Sequence, residues 1–159
     1  APVAGVNSSF NLINAQPTNE NLLRTIIGYS FLRGRLKYAY LILKGRNLEN
    51  QTTTEEERVK NFEILKEGLE TALNLVYWHD FIAIIQSAGF VNENLILSKT
   101  AIYQTYALYL IGRCKFGISH MDLESIISKW FVFSLLTQRY GGSSESRIEQ
   151  ELSHFRESD

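Results

Sequence analysis

The side chains with the clearest chemistry in this 159-residue chain are basic ones crowded near its start. Arg24, Arg33, Arg35, Lys37, Lys44 and Arg46 succeed one another with no acid between Asn21 and Leu48. Such a run is suited to contacting phosphate, so these six are candidate contacts to a DNA backbone. At about 100° per residue, Arg24, Arg35 and Arg46 stack on one side of a helix, and Arg33, Lys37 and Lys44 fall roughly opposite. One straight helix cannot turn both groups to a flat partner, so that role needs a break near Gly34. A structural reading stands beside the functional one. The next segment carries Glu55, Glu56, Glu57, Glu63, Glu67 and Glu70 against Arg58, Lys60 and Lys66. Pairing between the two helices also accounts for a net charge of −1, which lacks the basic excess of a dedicated nucleic-acid binder.

Other reactive residue types are scattered. His79, beside Asp80, His120 and His154 are far apart, and none has a His or Glu at metal-ligand spacing. The one cysteine, Cys114, cannot form an internal disulfide, which points to a reducing, cytoplasmic setting. It has no histidine near it in sequence to make a nucleophilic pair. Tyr103, Tyr106 and Tyr109 repeat every three residues; they can stack bases or, more simply, pack one helix on another with hydroxyls at the rim. Gly141-Gly142-Ser143-Ser144 has the look of an anion nest, yet it lacks the Lys of a phosphate loop and comes after no strand. A helix stop and then a cap explain the same residues, with Arg139 and Tyr140 expected to hold the turn through free carbonyls.

The elements that must position these groups read as helices. Both prolines, Pro2 and Pro17, lie at the start, and the last 142 positions have none. Proline breaks helices, so its absence favours long helices and short turns. Four long blocks are predicted, over about 19–44, 55–87, 93–114 and 120–139, with a short helix through about Phe155. Thr18 or Asn19, Thr54, Asn92, Ser119 and Ser143 or Ser144 are the expected caps. Phe62, Leu65, Leu69, Leu73 and Val76 recur at three- and four-residue steps, the pattern of a face seeking a core. A bend is expected around Tyr77–Asp80. The predicted fold is therefore all-α, a bundle of four long helices plus a short C-terminal helix, with residues 1–17 irregular and 18–159 one helical domain. No apolar run is long enough for a bilayer, and no signal peptide is visible. The absence of an initiator Met leads us to expect a fragment of a larger protein.

The stretch Lys129-Trp130-Phe131-Val132-Phe133-Ser134-Leu135-Leu136-Thr137-Gln138-Arg139-Tyr140-Gly141-Gly142-Ser143-Ser144-Glu145 resembles a signature of the GmrSD-type modification-dependent restriction endonucleases. The segments Phe31–Leu36, Leu43–Arg46 and Ser87–Phe90, with Ser98 and Tyr106–Leu110 after them, are similar to the same family. The likeness runs from about Leu22 to Arg156; Gly141 departs from it, standing where the family has Ser. The resemblance implies three parts: a ParB-like domain with an Asp-Gly-Gln-Gln-Arg-type motif that handles nucleoside triphosphate, a helical middle, and a His-Asn-His-type nuclease that uses a divalent metal. Neither motif occurs in this sequence. The chain thus corresponds to the helical middle, with Trp130, Arg139, Tyr140 and Ser143 as structural motif positions.

The resemblance therefore implies a non-catalytic domain that connects and orients the other two parts in phage defence. The implied nucleotide and metal belong to the parent protein, with no cofactor in this chain. Expected partners are the flanking domains of the same polypeptide, with DNA and a second copy as further options and no membrane. The alternative is a stand-alone helical module that binds a protein. An enzyme in its own right would need folding to gather His79, His120, His154 or Cys114 with carboxylates.

Overall fold

The computed structural model describes residues 17–90 and 98–158. Among these the chain is all-α, with seven α-helices, one π-helical turn and a lone bridge between Arg46 and Thr53. The helices are α1 (Asn19–Phe31), α2 (Lys37–Leu43), α3 (Glu55–Ala72), α4 (Leu75–Ser87), α5 (Lys99–Leu110), α6 (His120–Leu136) and α7 (Ser144–Arg156). The π-helical turn, Ile111–Lys115, extends α5. No helix among the described residues is long and apolar enough to cross a membrane.

Hydroxyl caps set several starts. Thr18, Thr54 and Ser119 accept the N–H three residues on, from Asn21, Glu57 and Asp122 at 3.1–3.2 Å. Three glutamates also sit in the first turn of α3, at the positive end of its dipole.

The predicted four-block division does not match the helices present. The first block is two helices, because Leu32 takes a left-handed conformation (φ 51°) and its N–H turns back to the Ile27 carbonyl. A left-handed non-glycine residue is unfavourable; here its side chain is buried in the main core. The second block breaks at Leu73–Asn74, upstream of the expected bend, since the Asn74 side chain accepts the Val76 and Tyr77 N–H groups and starts α4. The third block begins at Lys99 behind an extended Ser98 cap; Asn92 lies outside the described residues. The last helix is not short: α7 has 13 residues, as many as α1. The irregular segment expected over 1–17 falls, apart from Pro17, outside the described residues.

The centre of the fold is α5, buried on nearly all sides and packed against α1, α4 and α6. Tyr103, Tyr106 and Tyr109 are buried in it; the Tyr106 hydroxyl donates to the Ala72 carbonyl at 3.0 Å. Burial pushes the Tyr103 hydroxyl up to about 12. Phe81, Phe131, Leu110, Ile111 and Leu152 complete the interior.

The inward face of α3 is rotated by less than a right angle from the one expected: of the predicted series Leu65 does pack on the core, while Leu73 caps the helix and Val76 falls on α4. Phe62, Leu73 and Val76 are 64%, 55% and 61% exposed, and Leu69 is also exposed. The inward face carries Asn61, Gly68 and Ala72. Gly68 is what lets α3 come so near α1, since a Cβ there would overlap the Ser30 hydroxyl. Asn61 is buried because its amide donates to the Ile42 and Arg46 carbonyls at 3.1 and 3.3 Å, tying α2 to α3.

Candidate functional site

The polar groups of the molecule converge where α7 lies beside α1. The two helices run parallel: Arg24 meets Glu145, Gly28 faces Leu152, and Arg156 reaches the Leu32 carbonyl. Glu145 and Glu149, one turn apart, look toward α1 and the loop after it, whereas Ile148 and Leu152 enter the core.

Glu149 is the hub. Its Oε1 receives Arg33 at 3.3 Å and Arg156 at 3.2 Å, and its Oε2 accepts the Gly34 N–H at 2.5 Å. The Glu149 side chain is 14% exposed. Gly34 is required here by proximity, because a Cβ would fall 2.7 Å from the Ile148 carbonyl carbon. The Arg33 guanidinium also lies over the Tyr38 ring, 4.9 Å from its centroid.

Beside this hub opens a cavity of about 380 Å³, walled by α1, the Leu32–Arg33 loop, Asn47–Glu49, α3, Lys115 and Arg156. Four cations line it, Arg33, Lys60, Lys115 and Arg156, with the carboxylates Glu49 and Glu57 and the apolar side chains Phe31, Leu48 and Ile64. Ser30 also lines it, and its hydroxyl oxygen is buried without a hydrogen-bond partner among the described residues. Lys115 lies 5.4 Å from the centroid of the Tyr29 ring.

On the other side of α7, Glu151 organises the turn before the helix. Arg139 Nε donates to its Oε1, and the Tyr140 hydroxyl donates to its Oε2 at 2.9 Å. Trp130 Nε1 in turn donates to the Tyr140 hydroxyl at 3.2 Å, and the Arg139 guanidinium lies 5.1 Å from the centroid of the indole. Burial, and next the Glu151 carboxylate, push the Tyr140 hydroxyl well above the usual phenol range, which keeps it a donor. The side chains of Arg139 and Tyr140 thus bind a carboxylate rather than the free carbonyls expected from sequence, and Arg147 donates to the Arg139 carbonyl at 2.6 Å. Ser143 occupies the N-cap position of α7 without a side-chain cap bond.

The six candidate phosphate contacts have differing surroundings, and two of them, Arg33 and Lys37, meet at the Tyr38 ring. Arg24 is held by Glu20 and Glu145 at 2.8 and 2.9 Å, and Arg33 by Glu149. Arg35 is half-buried, with its Nε unpartnered among the described residues. Lys37 and Lys44 are exposed and sit over Tyr38 and Tyr40. Arg46 donates to the Gln51 side chain at 3.0 Å. The ion-pair partners of Arg24 and Arg33 are thus on α1 and α7, whereas the acidic helix α3 forms its own Arg58–Glu55 pair.

Among the described residues no group of three or more His, Cys, Asp or Glu is placed to hold a metal ion. Asp80, beside His79, pairs with Arg113 at 2.5 Å, and the same guanidinium donates to the Tyr109 hydroxyl. Cys114 is an exposed free thiol.

The residues that sequence reasoning missed are Glu145, Glu149, Glu151 and Arg156. Their signal was present: Glu145 and Glu149 are one turn apart on a helix, and an acid-free basic segment elsewhere in the chain calls for such partners. No protein-family model, curated protein or solved structure matches this chain.

Proposed function

We propose that this domain is a non-catalytic helical connector, the part of a modification-dependent restriction endonuclease that orients the nucleotide-handling and nuclease modules. The observation that carries the reading is the meeting of its motif segments. Phe31–Leu36 and the stretch around Trp130, Arg139 and Tyr140 are far apart in sequence, yet both are fastened to α7, through Glu149 and Glu151. A helix pinned on two sides moves as a rigid body with what it touches, which suits transmission of a domain shift. Nucleotide and metal chemistry would then reside in the flanking modules. The coding sequence on either side provides the test. An Asp-Gly-Gln-Gln-Arg-type motif upstream and a His-Asn-His-type motif downstream are expected; a reading frame with neither overturns the proposal.

A second reading, a protein-binding module, draws on the exposed apolar residues of α6. Met121 and Leu136 are 81% and 80% exposed and line one groove with Val132 and Phe133. Contiguous apolar surface of this kind marks interaction sites. A reading frame confined to this chain, with a partner whose binding is lost in Leu136→Ser, is its expected signature. Direct DNA contact by Lys37 and Lys44 predicts weak binding with a salt slope, and no binding at low salt removes it.

A further inference from the structure

We propose that the cavity beside Glu149 binds a small phosphorylated molecule through Arg33, Lys60, Lys115 and Arg156. Its volume, about 380 Å³, lies within the range of small-ligand sites, ~300–1,000 Å³. Two of the four cations are already fixed. Arg33 is held by Glu149 and Tyr38, and Arg156 by Glu149 and the Leu32 carbonyl.

A guanidinium carries five N–H donors in a planar fork that matches phosphate. Glu149 accepts a single N–H from Arg33 and forms an ion pair with Arg156, so most donors of the two forks are positioned but not consumed by it. Holding them in place before the ligand arrives lowers the ordering cost of binding. The carboxylates nearby, Glu49, Glu57 and Glu149, number one fewer than the cations, so the site keeps a positive excess.

The same geometry disfavours a polyanion. The cations surround a concave space that Glu49 and Glu57 share. Lys37 shares the Tyr38 ring with Arg33 and Lys44 sits over Tyr40 on α2, and neither lines the cavity. The site therefore suits a compact phosphate monoester with an apolar portion for the Phe31 side of the cavity. This inference is independent of the connector role and stands or falls whatever the flanking coding sequence holds.

Thermal unfolding with inorganic phosphate, with a nucleoside monophosphate and with sodium chloride at matched ionic strength tests it. A rise in Tm that saturates with either phosphate compound, and is absent with chloride, is expected. Lys60 is exposed and without an ion pair among the described residues, so Lys60→Gln leaves the fold intact and weakens binding about tenfold. Glu57→Gln removes an opposing charge and tightens binding about threefold. Equal responses to phosphate and chloride, or a folded Lys60→Gln protein that binds as tightly as the parent, overturn the proposal. Displacement of phosphate by a duplex lacking terminal phosphates also overturns it, assigning the site to nucleic acid.

Discussion

Glu149 and Glu151 leave the same helix about 200° apart, and they meet different surroundings. Glu151 is 8% exposed and closed in by Arg139, Tyr140 and, behind them, Trp130. Each of its oxygens is taken by a neighbour in the chain's own C-terminal third. Glu149 joins groups from far earlier in the sequence and pairs with two arginines that line an open cavity. One carboxylate is a latch that completes a turn. The other holds two arginines steady at the edge of a space that a ligand can enter. Similar pairing chemistry thus serves stability where the surroundings are closed and preorganisation where they are open.

The largest expected effect separates the two directly. Glu151→Ala leaves the buried Tyr140 hydroxyl without its acceptor and unpairs Arg139, whose own side chain is about a third exposed, and costs about 3 kcal/mol. Glu149→Ala unpairs two arginines that line the cavity and leaves the Gly34 N–H without its acceptor, and costs about 2 kcal/mol. Chemical denaturation of both variants and the double variant measures this. Near-additive losses are expected, and strong coupling breaks the division into two sites. Next comes Gly34→Ala. Its methyl group meets the Ile148–Glu149 backbone, for a loss of about 1–3 kcal/mol. It should also weaken phosphate binding, whereas Glu151→Ala protein that remains folded should not.

The smallest effect is on the closed side. Tyr140→Phe removes the hydroxyl's hydrogen bond to Glu151 and the acceptor of the Trp130 N–H, together worth about 1–2 kcal/mol at neutral pH. Its pH dependence sharpens the point. Tyr140 and Tyr103 both have folded-state values raised above the usual 10. Their contribution is complete below pH 10 and is lost as pH rises through the folded values, because the unfolded chain ionises first. Denaturation at pH 9 to 11.5 should show stability falling, and less steeply in Tyr140→Phe than in the parent.

Helical character and several helix starts were legible in the sequence because they depend on local chemistry. Thr18, Thr54 and Ser119 cap as their hydroxyls and spacing dictate. The face of α3 was not legible. Phe62, Leu65, Leu69, Leu73 and Val76 have core spacing, but of these only Leu65 packs inward from α3, because the helix approaches α1 on the side where Gly68 and Ala72 permit close contact. A pattern built on large apolar residues is blind to burial by small ones. The break in the first block was legible as a need near Gly34, yet the residue that turns is Leu32. Left-handed geometry at a leucine has no local signal; it is sustained by core packing and by the Arg156 contact to its carbonyl. Arg33 stood out as a charge, while its partner was hidden by distance along the chain.

That distance bears on how the molecule is made. Glu149 and Arg33 are separated by 116 residues, and Arg156 and Leu32 by 124. Bringing such remote groups together carries a large loop-closure entropy, so these contacts form late in folding. Helices α1 and α3 can pack with their neighbours while the cavity still lacks a wall. On a ribosome, a nascent chain that has not yet released α7 has no assembled site, so ligand capture reports that the domain is finished.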